Sequence, residues 1–232
     1  LSANTTGIQN VALGYQALLS NTTGSNNIAI GANTLDSNTS GTDNTGVGNN
    51  VLQSNTTGIR NTGVGESALV SVTTGGSNIA LGYLAGGTLT TGSGNIYIDA
   101  SAGAANEATT TRIGTLQTKA FIAGIRGVTT TNNNAIAVLI DSAGQLGTTS
   151  STRRVKHNIE DMNNDSAALF NLRPVTFAYN SDITETKQYG LIAEEVDEVF
   201  PGIVVKDEDG QPETVQYHVL PVLLLNEMQK QH

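Results

Sequence analysis

The chain reads as a mainly β repeat protein, a β-solenoid or trimeric β-helix with a 17-residue repeat, followed by a small α+β domain whose terminal helix suits a trimeric coiled coil. Three observations predict this. Asn10, Asn27, Asn44, Asn61, Asn78 and Asn95 lie 17 residues apart, and Gly7, Gly24, Gly41, Gly58, Gly75 and Gly92 keep the same step. Self-similarity at a short fixed period is the signature of stacked repeats. Each unit also sets two apolar residues around a small one, as in Val11-Ala12-Leu13, Ile28-Ala29-Ile30 and Ile79-Ala80-Leu81. Finally, composition changes near Ser151: the last 82 residues hold 7 of the 11 basic and 14 of the 20 acidic residues, and three of the four Phe.

Within a repeat, the apolar-small-apolar triplet predicts a short strand with the large side chains on its inward face. Flanking Asn and Gly supply the turns, since Gly tolerates positive φ and Asn bonds its own backbone. A third column in the same register, Gly14, Gly31, Gly48, Gly65 and Gly82, has Asp99 in its sixth slot. A second short strand is expected around Ala17-Leu18, Leu35, Val51-Leu52 and Ala68-Leu69. Residues 1–99 thus form the shaft, 100–150 a β stalk and hinge whose strands pair between chains, and 151–232 a separate globular domain. A rung with only a few buried apolar side chains does not offset a backbone entropy of about 1 to 2 kcal/mol per residue. Stacking and packing against identical chains must supply the rest, so a homotrimer is the expected assembly.

The totals exclude much. The chain has no Cys, which removes disulfide scaffolds, thiolate nucleophiles and Cys-based metal centres. Its three histidines, His157, His218 and His232, show no ligand spacing, and no cofactor or metal is expected. A net charge of -9 repels phosphate backbones, so nucleic acid is not an expected partner. The longest apolar run, Val219 to Leu225, is broken by Pro221 and is far short of the roughly 20 residues of a membrane span, so no membrane insertion is expected. The charge is local: residues 151–232 carry 7 - 14 = -7 and residues 1–150 carry 4 - 6 = -2.

The repeats admit further readings. The Thr-Thr pairs suggest an ice-binding ladder, Asn4, Asn21 and Asn55 open N-T-T glycosylation acceptors, and a calcium β-roll would use turn aspartates. Turn chemistry accounts for the first two without any partner, and the repeats contain only Asp36, Asp43 and Asp99 for the third. The segments N-V-A-L-G, N-I-A-I-G and N-I-A-L-G resemble the head repeats of trimeric adhesins and the shafts of bacteriophage tail fibres.

The C-terminal domain reads as a helix from about Asn158 to Phe170, strands at Val175 to Tyr179, Tyr189 to Ile192 and Ile203 to Lys206, a helix from Ala193 to Val199 stopped by Pro201, and a terminal helix from about Pro221. The turn Asp207-Glu208-Asp209-Gly210 reads as a hairpin. Three motifs run through this domain: Ser151-Thr152-Arg153-Arg154-Val155-Lys156-His157-Asn158-Ile159, Leu172-Arg173-Pro174-Val175-Thr176-Phe177, and Tyr189-Gly190-Leu191-Ile192-Ala193-Glu194-Glu195-Val196. In order and spacing they resemble the intramolecular chaperone and auto-processing domain of endosialidase tailspikes and related phage fibres.

That resemblance implies a domain that gathers three chains, promotes folding of the β-structure ahead of it, and then cuts the chain at a serine. The catalytic dyad it implies falls on Ser151 and Lys156. Serine needs an adjacent base at neutral pH, and lysine serves only when desolvation or nearby positive charge keeps it neutral; Arg153 and Arg154 are sources of such charge. A step of five on a helix would separate the two side chains by about 140°, so an extended or looped segment is expected. Glu194 and Glu195 are candidates to orient the lysine. The expected function is the C-terminal part of a trimeric viral tail fibre or spike, an autoproteolytic serine peptidase acting once in cis. It would reside on the virion or outside the cell after assembly in the host cytoplasm. The alternative is a trimeric cell-surface adhesin with the same maturation domain and a repeat head that contacts a host receptor or glycan.

Overall fold

The computed structural model describes residues 1–132, 134–142 and 144–231. Asn133, Ala143 and His232, the last weighed above as a metal ligand, lie outside them. The chain divides into two compact units, Leu1–Gly127 and Val128–His232.

The first unit is a β-solenoid. Strands β1 (Val11–Leu13), β2 (Ile28–Ile30), β3 (Thr45–Val47), β4 (Thr62–Val64), β5 (Ile79–Leu81), β6 (Ile96–Ile98) and β7 (Thr111–Ile113) form one parallel sheet in sequence order. Val11 lies opposite Ile28, Ile28 opposite Thr45, and the step stays constant to Ile96, which faces Thr111 after a shorter coil. Three-residue strands survive here because every coil is bonded to the coils on either side of it.

Two expectations are corrected. The large strand residues face outward, whereas the small central ones, Ala29, Ala80 and their neighbours Gly46 and Gly63, face the bore and are buried. Space forces this. Thr34 Cγ2 and Val51 Cγ1 would stand 2.6 and 3.3 Å from a Cβ on Gly46, so only a minimal side chain fits. The second strand is also absent, since residues 15–20 and their equivalents form turns. There Leu18, Leu35, Leu52 and Leu69 adopt left-handed φ of 50 to 54° and plunge into the core, fully buried. A non-glycine residue in that region is strained. The burial of a whole leucine, worth roughly 1.5 to 3 kcal/mol, compensates.

The core also contains ladders of asparagine. Asn27, Asn44, Asn61, Asn78 and Asn95 are fully buried. Each carbonyl oxygen accepts the backbone N–H of the next member, as from Asn44 to Asn27 at 3.0 Å and from Asn78 to Asn61 at 3.1 Å. The amides of the first four donate to a glycine carbonyl 14 residues on, as Asn44 to Gly58 and Asn61 to Gly75, both at 2.8 Å, and that of Asn95 donates to the Glu107 carbonyl at 2.8 Å. A second ladder runs from Asn4 through Asn21 and Asn38 to Asn55. It stops where Val72 and Leu89 occupy the next two slots, which leaves Asn55 Oδ1 buried and unpartnered. Asn21 and Asn55 are thus core residues whose amides are spent within the shaft. The first hydroxyl of each Thr pair is spent as well, Thr22 donating to the Thr39 carbonyl at 2.9 Å and Thr56 to that of Thr73 at 3.0 Å.

The last full coil is built differently. Tyr97 stands in the column of Ala29 and Ala80, and its ring is fully buried. Gly86 makes room by replacing the core leucine of its own column; a Cβ there would stand 2.7 Å from Tyr97 Cδ2 and 2.8 Å from Leu69 Cδ2. Tyr97 donates its hydroxyl to Glu107 Oε2 at 2.9 Å, and Arg112 clamps the same carboxylate through Nε and Nη2. The Arg112 guanidinium, with Gly103 N–H and the Tyr97 hydroxyl, lowers the Glu107 carboxyl to about 2, while burial pushes the Tyr97 phenol up.

The second unit begins with a small hairpin, β8 (Leu139–Ile140) against β9 (Leu146–Gly147), whose antiparallel pairing lies within one chain. At these residues the strands of the expected stalk pair with each other and not between chains. The region from Asn158 holds turns and a 3-10 segment, Ala167–Asn171, in place of the expected helix. Strands β10 (Val175–Phe177) and β11 (Gln188–Gly190) pair antiparallel, as do β12 (Val204–Lys206) and β13 (Pro212–Val215) across the acidic hairpin. Helix α1 (Ala193–Val199) and the terminal helix α2 (Leu220–Lys230) pack around Val196, Ile203, Val215 and Leu223.

Candidate functional site

Ser151 precedes a single 3-10 turn, Arg153–Val155, and Lys156 follows it. The turn is capped by Thr152, whose hydroxyl accepts the Arg154 N–H. Lys156 then returns to extended backbone at φ -121° and ψ 144°, its N–H donating to the Arg153 carbonyl at 3.2 Å. The segment is therefore looped, as the five-residue spacing requires. Both side chains are exposed, as are Arg153, Arg154 and His157. Among the described residues no hydrogen bond joins Ser151 to Lys156, so the single chain presents the two groups on one turn in open solvent.

The carboxylates proposed to orient Lys156 are placed elsewhere. Glu195 is held by Arg173, whose Nε donates to Oε2 at 2.9 Å and whose Nη2 donates to Oε1. This pairing keeps the Glu195 carboxyl below its usual range. Glu194 is exposed at the start of α1. The second and third motifs instead meet each other. Leu191 N–H donates to the Tyr217 hydroxyl at 2.8 Å, and β10 pairs with β11 to bring Val175 opposite Gly190.

Residues 151–205 match the family model of the chaperone of endosialidase, peptidase S74. The match begins at the candidate nucleophile and takes in all three motifs. No curated protein and no solved structure matches the chain. The chaperone-of-endosialidase segment thus follows a β-solenoid of about six turns, and the family is in general one of autoproteolytic peptidases.

The structure adds a site that sequence reading missed. Ser166 is fully buried and donates to Glu227 of the terminal helix, whose Oε1 also accepts from Lys230 at 2.6 Å. Asn226 donates to Ser166 and, at 2.9 Å, to the Asn163 carbonyl. Lys230 and Ser166 hold the Glu227 carboxyl below its usual value. The cluster resembles a Ser-Lys pair, but the lysine is engaged by a carboxylate and the hydroxyl is sealed from solvent. Its work is to seat α2 on the Ala167–Asn171 segment. The signal was Glu227 at helical spacing from Leu220 and Leu223, a carboxylate on the face that packs inward.

Proposed function

We propose that the chain is the C-terminal part of a trimeric tail fibre or spike whose last domain assembles the shaft and then cuts itself free at Ser151. The observation that carries this reading is the family match starting at Ser151, C-terminal in sequence to a solenoid that exposes apolar side chains along one face. Val11, Leu13, Ile28, Ile30, Val64, Ile79, Leu81, Ile96 and Ile98 are 36 to 66% exposed. They stand in two columns on strands about 4.8 Å apart, the first interrupted by Thr45 and Thr62, and from β1 to β6 the stripe is about 24 Å long. Contiguous apolar patches of that kind mark interaction surfaces. Three shafts turning this face toward a common axis bury it, and the terminal helix supplies a further contact between the three copies.

The domain's help is needed because contacts between chains form late and leave apolar faces exposed in the meantime. Holding three chains in register lowers that barrier. Cleavage afterwards removes the domain, so the mature fibre is kept by a kinetic barrier to unfolding.

Ser151 Oγ attacks the Ser150 carbonyl carbon, Lys156 accepts the hydroxyl proton, and the Ser150–Ser151 C–N bond breaks to give an ester and a free Ser151 amine that takes the proton. Water then hydrolyses the ester, giving a Ser150 carboxylate and restoring the hydroxyl. Lys156 is exposed in the single chain, so the desolvation a lysine base requires comes from the cover of neighbouring chains in the assembly.

The test is a denaturing gel of the chain beside Ser151→Ala and Lys156→Ala variants. The reading expects the parent to yield an 82-residue piece and both variants to stay intact. Cleavage unaffected by either substitution overturns it.

A further inference from the structure

Arg60 and Glu66 stand on the same coil of the shaft, two residues before and two residues after β4. Both are exposed, so they flank the outward side chains of Thr62 and Val64, one on each margin of the apolar face. Six residues of extended chain hold them up to about 20 Å apart. Among the described residues neither side chain has a hydrogen bond or an ion pair within the chain. The other charges beside this face are engaged. Asp43, one coil before Arg60 in the same column, accepts from the Asn26 amide at 2.9 Å and from the Thr42 hydroxyl at 3.0 Å. Asp99, just after β6, accepts from the Gln117 amide at 3.0 Å.

We infer that neighbouring shafts meet parallel and coil against like coil, so that Arg60 of one copy pairs with Glu66 of the next around the ring. The inference rests on the trimer proposed above and specifies its direction and register. Rotation about an axis that runs along the shaft keeps every coil at its own height. It brings one margin of a face against the opposite margin of its neighbour, a contact between unlike patches of the kind that closes into rings. Arg60 and Glu66 occupy opposite margins at one height. The rotation that covers the stripe therefore also brings each free charge to its opposite, three times.

The apolar columns fix the face but leave the direction open. From β1 to β3 they carry Val11 and Leu13, Ile28 and Ile30, Thr45 and Val47; from β6 back to β4 they carry Ile96 and Ile98, Ile79 and Leu81, Thr62 and Val64. The stripe reads alike from either end, so two antiparallel copies would cover it as well. Charge decides between them. An antiparallel pair centred on the stripe sets Arg60 against Asp43, whose carboxylate already has two donors, and leaves Glu66 facing Asn49 with no opposite charge. The parallel ring gives both free charges a partner. Net charge does not oppose the approach of like copies, since residues 1–127 hold four basic and five acidic residues, a net of -1.

The test reverses the charges. In a Ser151→Ala chain, Arg60→Glu, Glu66→Arg and the double variant are sedimented over a dilution series at low ionic strength, where exposed charges are least screened. Each single reversal opposes like charges at all three contacts and is expected to raise the concentration for half-assembly at least about tenfold; the double variant should restore the parent value. Hydrogen exchange of the shaft matching the parent separates lost assembly from lost folding. Should a reversal disturb the coil, Arg60→Gln and Glu66→Gln remove the pair without opposing charges and are expected to weaken assembly equally; unequal weakening overturns the pairing. Weakening by Arg60→Glu, none by Glu66→Arg and no rescue in the double variant would mean antiparallel copies and overturn the inference. A trimer indifferent to both reversals overturns it too, leaving the trimer standing. A parent chain that sediments as a monomer overturns both.

Discussion

Replacing Asn61 by alanine tests the asparagine ladder where it is most completely enclosed. Asn61 is fully buried. Its amide donates to the Gly75 carbonyl at 2.8 Å, and its oxygen accepts from the Asn78 backbone N–H at 3.1 Å and the Asn78 side chain at 3.0 Å. The Asn78 amide keeps a second acceptor, the Gly92 carbonyl, so the substitution strands the Gly75 carbonyl and the Asn78 N–H. A buried backbone group left unpaired costs about 1 to 3 kcal/mol, so the two together cost about 2 to 6 kcal/mol. Hydrogen exchange measured by mass spectrometry on a Ser151→Ala chain reads this locally, because opening free energies differ along a structure. Peptides spanning residues 60–80 should exchange at least about 30-fold faster, the equivalent of the lower bound. The exposed Asn49→Ala should change nothing measurable. An Asn61→Ala change below threefold in every shaft peptide would refute the claim that these amides bond the coils together.

The remaining predictions concern assembly and acid. Ile30→Asp, on the outward column, should leave the coil folded while reducing sedimentation from trimer to monomer; retention of the trimer would clear the apolar stripe of that role. The Glu107 carboxyl, held at about 2 in the folded chain against an ordinary 4.5, contributes stability that is complete above about pH 4.5 and lost as pH falls toward 2. Glu107→Gln should therefore flatten the acid limb of a thermal-melting profile in that window, and an unchanged profile would show that the Tyr97–Glu107–Arg112 closure is not what acid disrupts. Replacing Gly86 by valine drives a side chain into the Tyr97 ring and should lower the melting temperature of the shaft, an overpacking cost of about 1 to 3 kcal/mol; a wild-type melting curve would contradict the packing described for the last coil.

The parallel strands could be read from the sequence, because Asn and Gly columns in register leave few other geometries. Which way each strand faces could not. An alternating apolar strand normally turns its large residues inward, and only the bore, narrowed by Val51 and the left-handed leucines, shows that alanine and glycine belong there. Leu18 and its equivalents misled for a related reason: β-strand is the common backbone for such pairs, and the left-handed turn is rare. The closing coil had a signal, since Tyr97 breaks a column of small residues and Asp99 a column of glycines, but its partners Glu107 and Arg112 lie beyond the repeat. Ser151 and Lys156 emerged only from the motifs around them. Their exposure in a single chain gives no structural cue.

Assembly of three chains and cleavage before Ser151 are the two events on which the proposed function stands. Native mass spectrometry of the expressed chain tests both at once. The expected particle contains three copies of residues 1–150, with an 82-residue fragment released. A single uncut 232-residue chain, or a lone copy of residues 1–150 after cleavage, would contradict it.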